Sequence, residues 1–522
     1  MLSTIKKRYR FRVIIPAYPA FNIYSNFARL TTSLGPVNIA TSVNKMDMWD
    51  AEVIDENNLR LYGPRKKVGA DHELLQKQRP ADAVGLYGGL TSTIPRLYEI
   101  ARIYKDQGIV TIAGGQHFVG ENIINALAKG IDYIVIGEGE ETIKELLDGI
   151  NNERDLSQVK GIAFLKEGRL VQTPLREPLS DFDKLPLPDF SLVRYAKLKV
   201  YPVERIRGCG MDCEFCTVKG EPRAACPNRL LEQIKLLVET RNARFFFIVD
   251  DLFGQHRRDT IQFCRILRDY QKEIGRNLDF TAQIRLDKAK DPELLLAMRQ
   301  ANVNMVCIGF ESPIDEELKA MSKHIKSQDM LSLTKIFHDF GFLVHGMFIF
   351  GYPLKDTDGF NMSANERIKR YRKFIRAACI DTIQILLPVP LPGTELWARL
   401  KKQNRIFDVK KLGWEYYDGN FPVFEPDTSM TVEEMQDARR KIMGSFYRFN
   451  YFFKIGMDIL IFPALVLFLD NIKFGWDKWY RVWRNDIVRF TGWFIIREWN
   501  LNFEKDRFLQ KLQSSRAKIE RL

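Results

Sequence analysis

Residues 203–216 have the sequence VERIRGCGMDCEFC, in which a short strand pattern runs directly into a loop with three cysteines. Cys209, Cys213 and Cys216 belong to a set of only seven cysteines in 522 residues, too few for a disulfide framework. Thiolates are soft ligands that suit zinc or an iron–sulfur cluster, and three of them leave one metal position open. The loop therefore predicts a metal site in a reducing compartment.

A series of strand and helix patterns continues from this loop. The first strand is expected at Val203–Arg207, and each of the first five strands is followed by a helical pattern. The further strands are expected at Arg244–Val249, Phe280–Arg285, Met305–Phe310, Leu343–Phe350 and Thr382–Leu387. Six such units predict a partial (β/α)6 TIM-type barrel at residues 199–425. Chemistry in parallel barrels gathers at the carboxyl ends of the strands, which is where the cysteines fall.

A second α/β region precedes the barrel, and we place it at residues 10–152. Its Gly-rich strand ends, at Gly114-Gly115 and Gly137-Glu138-Gly139, lie where parallel sheets bind ligands. Its strands are expected at Phe11–Ile15, Ala51–Ile54, Asp82–Tyr87, Ile109–Ala113 and Ile131–Ile136. Residues 153–198 indicate a hairpin followed by a proline-punctuated linker.

Residues 426–522 predict a mainly helical C-terminal domain. The net charge of the chain is +13, and five of its eight tryptophans follow residue 471 among basic residues. This mixture fits a membrane interface, and it equally fits a domain that packs its own core. Ile455–Leu469 is apolar but is interrupted by Asp458 and Pro463, and it falls short of the roughly 20 residues that cross a bilayer. We therefore predict no membrane span.

The three cysteines alone leave two kinds of metal site open. A zinc knuckle would need a fourth ligand, for which Cys226 or His256 could serve. The pattern Cys-x3-Cys-x2-Cys after the first strand of a barrel resembles the radical S-adenosylmethionine (SAM) superfamily. In that superfamily three thiolates hold a [4Fe–4S] cluster whose open iron is chelated by the amino and carboxylate groups of SAM. The resemblance thus implies that Cys209, Cys213 and Cys216 bind such a cluster.

Further motifs extend the resemblance over residues 10–430, to radical SAM enzymes with an N-terminal cobalamin-binding domain. These motifs are Gly114-Gly115-Gln116-His117, Gly137-Glu138-Gly139-Glu140, Asp250-Asp251, Gly309-Phe310-Glu311-Ser312, Gly346–Gly351 and Pro390–Thr394. The resemblance implies a Rossmann-like cobalamin-binding domain ahead of the barrel. In outline the chain is similar to hopanoid methylases and to anaerobic magnesium-protoporphyrin ester cyclases.

The same resemblance implies contacts with SAM. Asp250 or Asp251 would hold its amino group and Glu311 would meet its ribose. The fifth and sixth strand ends would flank its adenine, and Gly346 and Gly351 of the fifth strand and its turn are the residues expected there. The two aspartates could instead cap the next helix, and the glutamate could be a solvated turn carboxylate. No catalytic acid or base is assigned.

The cobalamin site is also implied by resemblance. Small, polar strand-end residues are expected to line the corrin face, namely Thr91, Ser92, Thr93, Gly114, Gly115, Gly137 and Gly139. The Asp-x-His-x-x-Gly motif of many cobalamin domains is missing after the first strand, and its partial echo at His117 lacks the aspartate. Radical SAM members of the family often bind cobalamin without that histidine. The alternative is a degenerate domain that serves as a lid or substrate platform, with ordinary turn residues at these positions.

In the reaction implied by the family, the cluster donates one electron to SAM, which releases methionine and a 5′-deoxyadenosyl radical. With cobalamin bound, we expect methylation of an unactivated carbon on a small, lipid-like molecule, with flavodoxin or ferredoxin as the electron donor. A radical cyclase or oxidase without methyl transfer, or a non-catalytic iron–sulfur or corrinoid binding module, remains open. We expect a cytoplasmic protein whose C-terminal segment contacts the inner membrane face, and the absence of an RNA-binding signature disfavours nucleic acid.

Overall fold

The computed structural model describes residues 8–59, 63–356, 360–457 and 472–516, with the backbone alone described at 472–481. Two largely parallel sheets occupy successive parts of the chain, and helices cover them. The prediction of an α/β fold with a helical C-terminal region is confirmed. What positions the candidate site is the way the carboxyl ends of the two sheets meet.

The first sheet contains seven strands. They are β1 Tyr9–Ile15, β2 Trp49–Asp55, β3 Ala83–Tyr87, β4 Val110–Gly114, β5 Tyr133–Val135, β6 Ile162–Lys166 and β7 Arg169–Gln172. Their order across the sheet is β2-β1-β3-β4-β5-β6-β7. The first five are parallel, whereas β6 pairs antiparallel with both β5 and β7. The hairpin that the sequence placed in the connecting segment therefore extends the first sheet.

Helices cover both faces of this sheet. They are α1 Ser25–Ala28, α2 Leu34–Asn44, α3 His72–Gln78, α4 Ile94–Lys105, α5 Glu121–Ala128 and α6 Glu140–Asn151. Successive residues of a strand point to opposite faces, so neighbours in β1 serve different cores. Val13 packs with residues of α2 and α6, and Ile14 packs with residues of α4 and α5. Both faces are thus apolar, as parallel sheets require.

The second sheet forms the partial barrel. The strands of this region are β8 Val200–Val203, β9 Ile206–Arg207, β10 Arg223–Ala224, β11 Phe245–Ile248, β12 Asp279–Gln283, β13 Val303–Glu311, β14 Leu343–Ile349 and β15 Thr382–Leu386. Six of them pair in the order β8-β11-β12-β13-β14-β15, all parallel. The accompanying helices are α7 Pro227–Arg241, α8 Arg257–Glu273, α9 Pro292–Gln300, α10 Asp315–Ala320, α11 Ser327–Asp339, α12 Ala364–Ala377, α13 Glu395–Lys402 and α14 Val409–Leu412.

The first barrel strand is the one whose predicted position was wrong. The sequence placed it at Val203–Arg207, whereas β8 ends at Val203. Beyond that point the amides of Arg205 and Ile206 donate to the carboxylate of Asp250 and not to a neighbouring strand. The chain then turns, and β9 pairs antiparallel with β10 across the base of the cysteine loop.

The C-terminal region packs along the side of the barrel. Its helices are α15 Val432–Phe446, α16 Ile472–Asp506 and α17 Phe508–Arg516. Near the middle of α16, the Arg489 guanidinium donates a hydrogen bond to the carbonyl of Ile380, which lies just before β15. Further along, Trp499 and Phe503 are buried against Phe421. The C-terminal part of α16 therefore packs into the hydrophobic core of the barrel region.

In the described part of the chain, none of the helices is both long and apolar enough to cross a bilayer. The apolar stretch Ile455–Leu469 lies outside the described residues from position 458 onward.

Candidate active site

The cysteine loop begins at Gly208, a position that only glycine can occupy. Gly208 has φ +90°, and a Cβ on it would lie 2.6 Å from the carbonyl oxygen of Glu221. Its amide donates to Oδ2 of Asp251 at 2.7 Å. Left-handed backbone and close approach of another chain segment both favour glycine. Asp251, at the end of β11, thus holds the start of the loop.

Asp250 supports the same corner from inside. Its side chain is buried, and Oδ1 accepts from the amides of Arg205 and Ile206 at 2.6 and 2.9 Å. Burial raises the pKa of this carboxyl to about 6. The next helix begins at Arg257, so neither Asp250 nor Asp251 is a helix cap. We assign Asp250 to positioning the strand end, and Asp251 remains the candidate for contact with a ligand.

A buried ion pair holds the middle of the cysteine loop. Glu214 accepts from Nε of Arg399 at 2.7 Å and from the hydroxyl of Tyr352 at 2.6 Å. Arg399 lies on α13, and Tyr352 follows β14. Residues between Cys213 and Cys216 are therefore connected to the sixth and fifth strands of the barrel, which the sequence pattern did not reveal.

The three thiols lie close enough to influence one another's ionisation. Burial raises the pKa of each thiol, and the charges of Lys323 at Cys213 and of Arg285 at Cys209 oppose the shift. Across the described residues, no three His, Cys, Asp or Glu side chains converge as ligands of one metal ion. A zinc knuckle needs four ligands around one ion. Three thiols with cations beside them fit an iron–sulfur cluster with an open position.

Glu311 ends β13 in an unusual conformation. It has φ +59°, and a Cβ on Gly309 would lie 2.4 Å from its Oε1. The same oxygen accepts from Nζ of Lys323 at 2.8 Å, and the side chain is nearly buried. Glu311 is thus not a solvated turn carboxylate. Lys323 lies in the α10–α11 connection, where no strand-end pattern could have indicated it.

The two glycines predicted to flank adenine have different positions. Gly351 lies directly beyond β14 and has φ +76°, so the turn requires glycine. Gly346 lies in the middle of β14, where a Cβ would come within 2.8 Å of the Phe348 ring. It lies inside the strand, as the predicted strand Leu343–Phe350 also had it, and it permits core packing there.

A cleft of about 260 Å³ opens at the carboxyl ends of β3, β4 and β5. Four predicted cobalamin residues line it, namely Gly114, Gly115, Gly137 and Gly139. A Cβ on Gly35 or Gly137 would meet no protein atom within 4 Å, so these glycines leave room beside the apolar floor. The strand order β2-β1-β3-β4-β5 is the flavodoxin-like order, in which ligands bind at this edge.

Thr91, Ser92 and Thr93 do not line the cleft. They form a buried turn of 3₁₀ helix after β3, packed beneath residues 414–416. His117 lies in the same place: it is buried, its Nδ1 is 3.3 Å from the Thr91 hydroxyl, and its ring packs edge-on against Trp414. Burial lowers the pKa of His117 to about 4. This histidine contributes to packing between the two sheets.

The far wall of the cleft belongs to the barrel. Arg207, from β9, pairs with Glu140 at 2.7 Å and with Glu204 at 2.8 Å. Burial raises the pKa of Glu204 to about 7. On the other side of the cysteine loop, the Thr217 hydroxyl donates to Oε1 of Gln116 at 2.9 Å. The strand-end loops of the two sheets therefore contact each other at both sides of the cysteines.

Two family models match the chain at these regions. Residues 203–365 match the radical SAM superfamily, and residues 29–147 match the B12 binding domain. The chain combines a B12-binding domain with a radical SAM domain.

Curated relatives match the chain at modest identity. An uncharacterized methyltransferase of Pyrococcus horikoshii is 26% identical over 69% of this chain and 78% of its own length. The anaerobic magnesium-protoporphyrin IX monomethyl ester cyclase of Rubrivivax gelatinosus is 27% identical over 69% of this chain and 65% of its own. The hopanoid C-2 methylase of Rhodopseudomonas palustris is 27% identical over 53% of this chain and 50% of its own.

Solved structures share the fold over most of the chain. The methyltransferase TsrM of Kitasatospora setae, with cobalamin and a [4Fe–4S] cluster bound, has a TM-score of 0.61 at 16% identity, covering 76% of this chain and 78% of TsrM. The radical SAM enzyme OxsB, with aqua-cobalamin and SAM bound, has a TM-score of 0.62 at 14% identity, covering 98% of this chain and 81% of OxsB.

The cofactors of this radical SAM enzyme are a [4Fe–4S] cluster, SAM and cobalamin. The donor set fits the cluster, because three thiols with an open fourth position are what its SAM-binding form requires. The glycine-lined cleft fits a bulky planar or heterocyclic ligand, because room remains beside Gly35 and Gly137. The fit does not depend on a lower axial histidine, since His117 is enclosed elsewhere.

Proposed function

We propose that the protein is a cobalamin-dependent methyltransferase that methylates an unactivated carbon of a hydrophobic small molecule. The observation that carries the proposal is the contact between Gln116, on the loop after β4, and Thr217, which directly follows Cys216. This contact places the edge of the cobalamin cleft beside the cysteine loop, so that both border the same space. Two carriers and a substrate must come together for group transfer, and holding reactants close and well oriented can remove about 7–11 kcal/mol of the barrier.

When bound, the cluster supplies an electron to SAM, and cobalamin carries a methyl group. The protein's own residues bind and orient these groups. Cys209, Cys213 and Cys216 would hold the cluster, Asp251 would accept from the SAM amino group, and Glu311 would accept from a ribose hydroxyl. The contact of the two sheet edges would exclude water from the radical.

The hydrophobic substrate is supported by two features. A hopanoid methylase is among the relatives, and the C-terminal region of this chain is rich in apolar and aromatic residues. Radical cyclisation or oxidation is a second candidate, because ester cyclases are related to this chain at similar identity. The two reactions differ in whether a methyl group leaves SAM for the substrate.

The test is an anaerobic assay of reconstituted holoenzyme with methyl-labelled SAM, reduced flavodoxin or ferredoxin, and candidate hydrophobic acceptors. We expect 5′-deoxyadenosine together with label in the acceptor. 5′-Deoxyadenosine without label transfer to any acceptor would favour the cyclase or oxidase, and the absence of SAM cleavage would favour a binding module. C213S should lose SAM cleavage, whereas C226S, an exposed cysteine before α7, should retain it.

A further inference from the structure

A cleft at the far end of the barrel is strongly basic. It has a volume of about 650 Å³ and lies between α11, α12, α15 and α16. Five cationic side chains line it, namely Lys335, Arg372, Arg376, Arg448 and Arg489, and Asp381 is the only carboxylate among its described lining residues. We call this the basic cleft. Asp381 immediately precedes β15, so the cleft is at the amino-terminal end of the strands, opposite the cysteine loop.

Lys335 pairs with Asp339 at 2.6 Å and Arg489 lies 3.9 Å from Asp486, whereas the carboxylate of Asp381 pairs with none of the five cations. Its oxygens accept from Asn485 at 2.5 Å, from the amide of Val344 at 2.8 Å and from His338 at 3.1 Å. Arg376, by contrast, makes no side-chain hydrogen bond or ion pair with the described residues. Nε of Arg372 is buried without a partner in the same part of the structure. The cleft therefore has donors available for an anion.

Exposed aromatic side chains border the basic cleft. Phe449, Phe452, Phe453, Met457 and Phe494 are between 41% and 63% exposed, and we call them the aromatic patch. The patch is continuous with the cleft, because Arg448 and Tyr451 line the cleft from the same short segment. Its rings contact one another: the centroids of Phe449 and Phe452 are 5.7 Å apart. Large apolar side chains exposed together mark an interaction surface.

We propose that the basic cleft and the aromatic patch form a docking surface for a lipid bilayer that contains anionic phospholipid. Such a surface presents negative phosphates above an apolar layer, and it attracts basic residues electrostatically while aromatic rings insert at headgroup depth. The sequence continues from Met457 into DILIFPALVLFLDN, so the chain next to the patch is also apolar. Five contiguous apolar side chains favour a bilayer over an extended polyanion.

The docking surface is separate from the site of the proposed reaction. The surface lies at the amino-terminal end of the barrel strands, and the cysteines lie at the carboxyl ends. The inference therefore goes beyond the proposed methyl transfer and does not depend on it. Changes in the patch should leave SAM cleavage intact, which distinguishes loss of docking from loss of the enzyme.

The test is flotation of the reconstituted full chain with vesicles of phosphatidylcholine alone, or of phosphatidylcholine with phosphatidylglycerol. We expect binding to the anionic vesicles that weakens as salt is added. K335E/R376E, which reverses two exposed charges of the cleft on α11 and α12, should weaken binding about tenfold or more. F452S/F453S should weaken it on the order of a hundredfold.

Matched controls lie on other surfaces. L296S removes a side chain that is 52% exposed on α9, and K272E reverses an exposed charge on α8. Both should float as the wild type does, and all variants should retain the cluster absorbance. The proposal is overturned if the wild-type protein fails to bind anionic vesicles, or if it binds polyuridylate RNA but no vesicle. It is also overturned if the patch variants bind anionic vesicles as well as the controls do.

Discussion

The guanidinium of Arg399 binds both carboxylate oxygens of Glu214, with Nε–Oε1 and Nη2–Oε2 distances of 2.7 and 3.0 Å. The same guanidinium donates to the carbonyls of Pro353 and Leu354. One side chain thus connects the cysteine loop, the turn after β14 and α13. A loop that must present three thiols to a cluster is held at its centre by residues distant in sequence.

Replacing Arg399 by alanine should therefore impair cluster assembly. The change leaves a buried carboxylate without its cation, which costs about 3 kcal/mol of the free energy of unfolding. We expect iron per chain after anaerobic reconstitution to fall by more than half, because the loop no longer has a fixed centre. Iron and sulfide quantification measures this.

R405A is the matched control for that variant. Arg405 pairs with Asp427 at 2.9 Å, at similar burial, but it does not contact the cysteine loop. It should lose stability and keep its iron. Equal iron loss in both variants would show that general destabilisation, and not the loop contact, explains the result.

The cleft of the B12-binding domain can be tested by filling it. Gly35 lies in the first turn of α2, and a Cβ there meets no protein atom within 4 Å. G35F should place a ring in the cleft and weaken cobalamin binding at least about tenfold, while leaving the fold intact, because most residues are better helix formers than glycine. Corrinoid absorbance of the desalted protein measures the retained cofactor.

The control for G35F uses a second exposed helical glycine. Gly444, in α15, also has nothing within 4 Å of a built Cβ, but it lies outside the cleft. G444F should bind cobalamin normally, and G35A should do the same. Normal corrinoid content in G35F would remove the cleft as the cobalamin site.

The sequence predicted the parts of the fold that depend on local pattern. α4 occurs at Ile94–Lys105 as expected, because its apolar residues repeat at helical spacing and Pro95 lies in its first turn. The strands of both sheets were found within a few residues, except the first barrel strand. There the long-range bond from Asp250 to the amides of Arg205 and Ile206 ends the strand early, and no local pattern encodes such a bond.

The same distinction between local pattern and long-range contact applies to the candidate sites. The three cysteines and the cleft glycines follow from motifs and strand ends. Thr91–Thr93 were expected at the cobalamin face, but the loop after β3 folds into a buried 3₁₀ turn against the barrel. Lys323 and Arg399 reach the cysteine loop from other elements. Contacts made by packing two domains together are not visible in a single strand-end pattern.

The buried carboxyl of Asp250 predicts a pH dependence of stability. Its folded-state pKa of about 6 exceeds the ordinary value of 3.8 because burial disfavours the charge. The stability that the protonated form provides is fully present below about pH 4 and is lost as the pH rises through about 6. D250N mimics the protonated form and can still accept from both amides.

The difference in unfolding free energy between D250N and wild type should therefore grow between about pH 4 and pH 6 and then stay constant. Its total is on the order of 3 kcal/mol in favour of the variant. Denaturant unfolding across this range measures it. D106N, which changes an exposed carboxylate directly after α4, should show no such change. A constant difference for D250N across this range would mean that folding does not raise the pKa of the Asp250 carboxyl.

Glu311 should affect SAM binding and not cluster assembly. Its Oε1 pairs with Lys323 at 2.8 Å, and its position at the end of β13 places it near Cys213 without making it a ligand. E311Q removes a charged acceptor, and a hydrogen bond to a charged group contributes about 1.5–3 kcal/mol, so the Kd for SAM should rise roughly tenfold to a hundredfold. Equilibrium dialysis of the reconstituted protein measures the Kd, and iron content should stay at the wild-type level.

E316Q changes an exposed glutamate on α10 and should bind SAM normally. If E311Q binds SAM as tightly as E316Q does, the carboxylate only orders Lys323 and the contact with ribose is excluded.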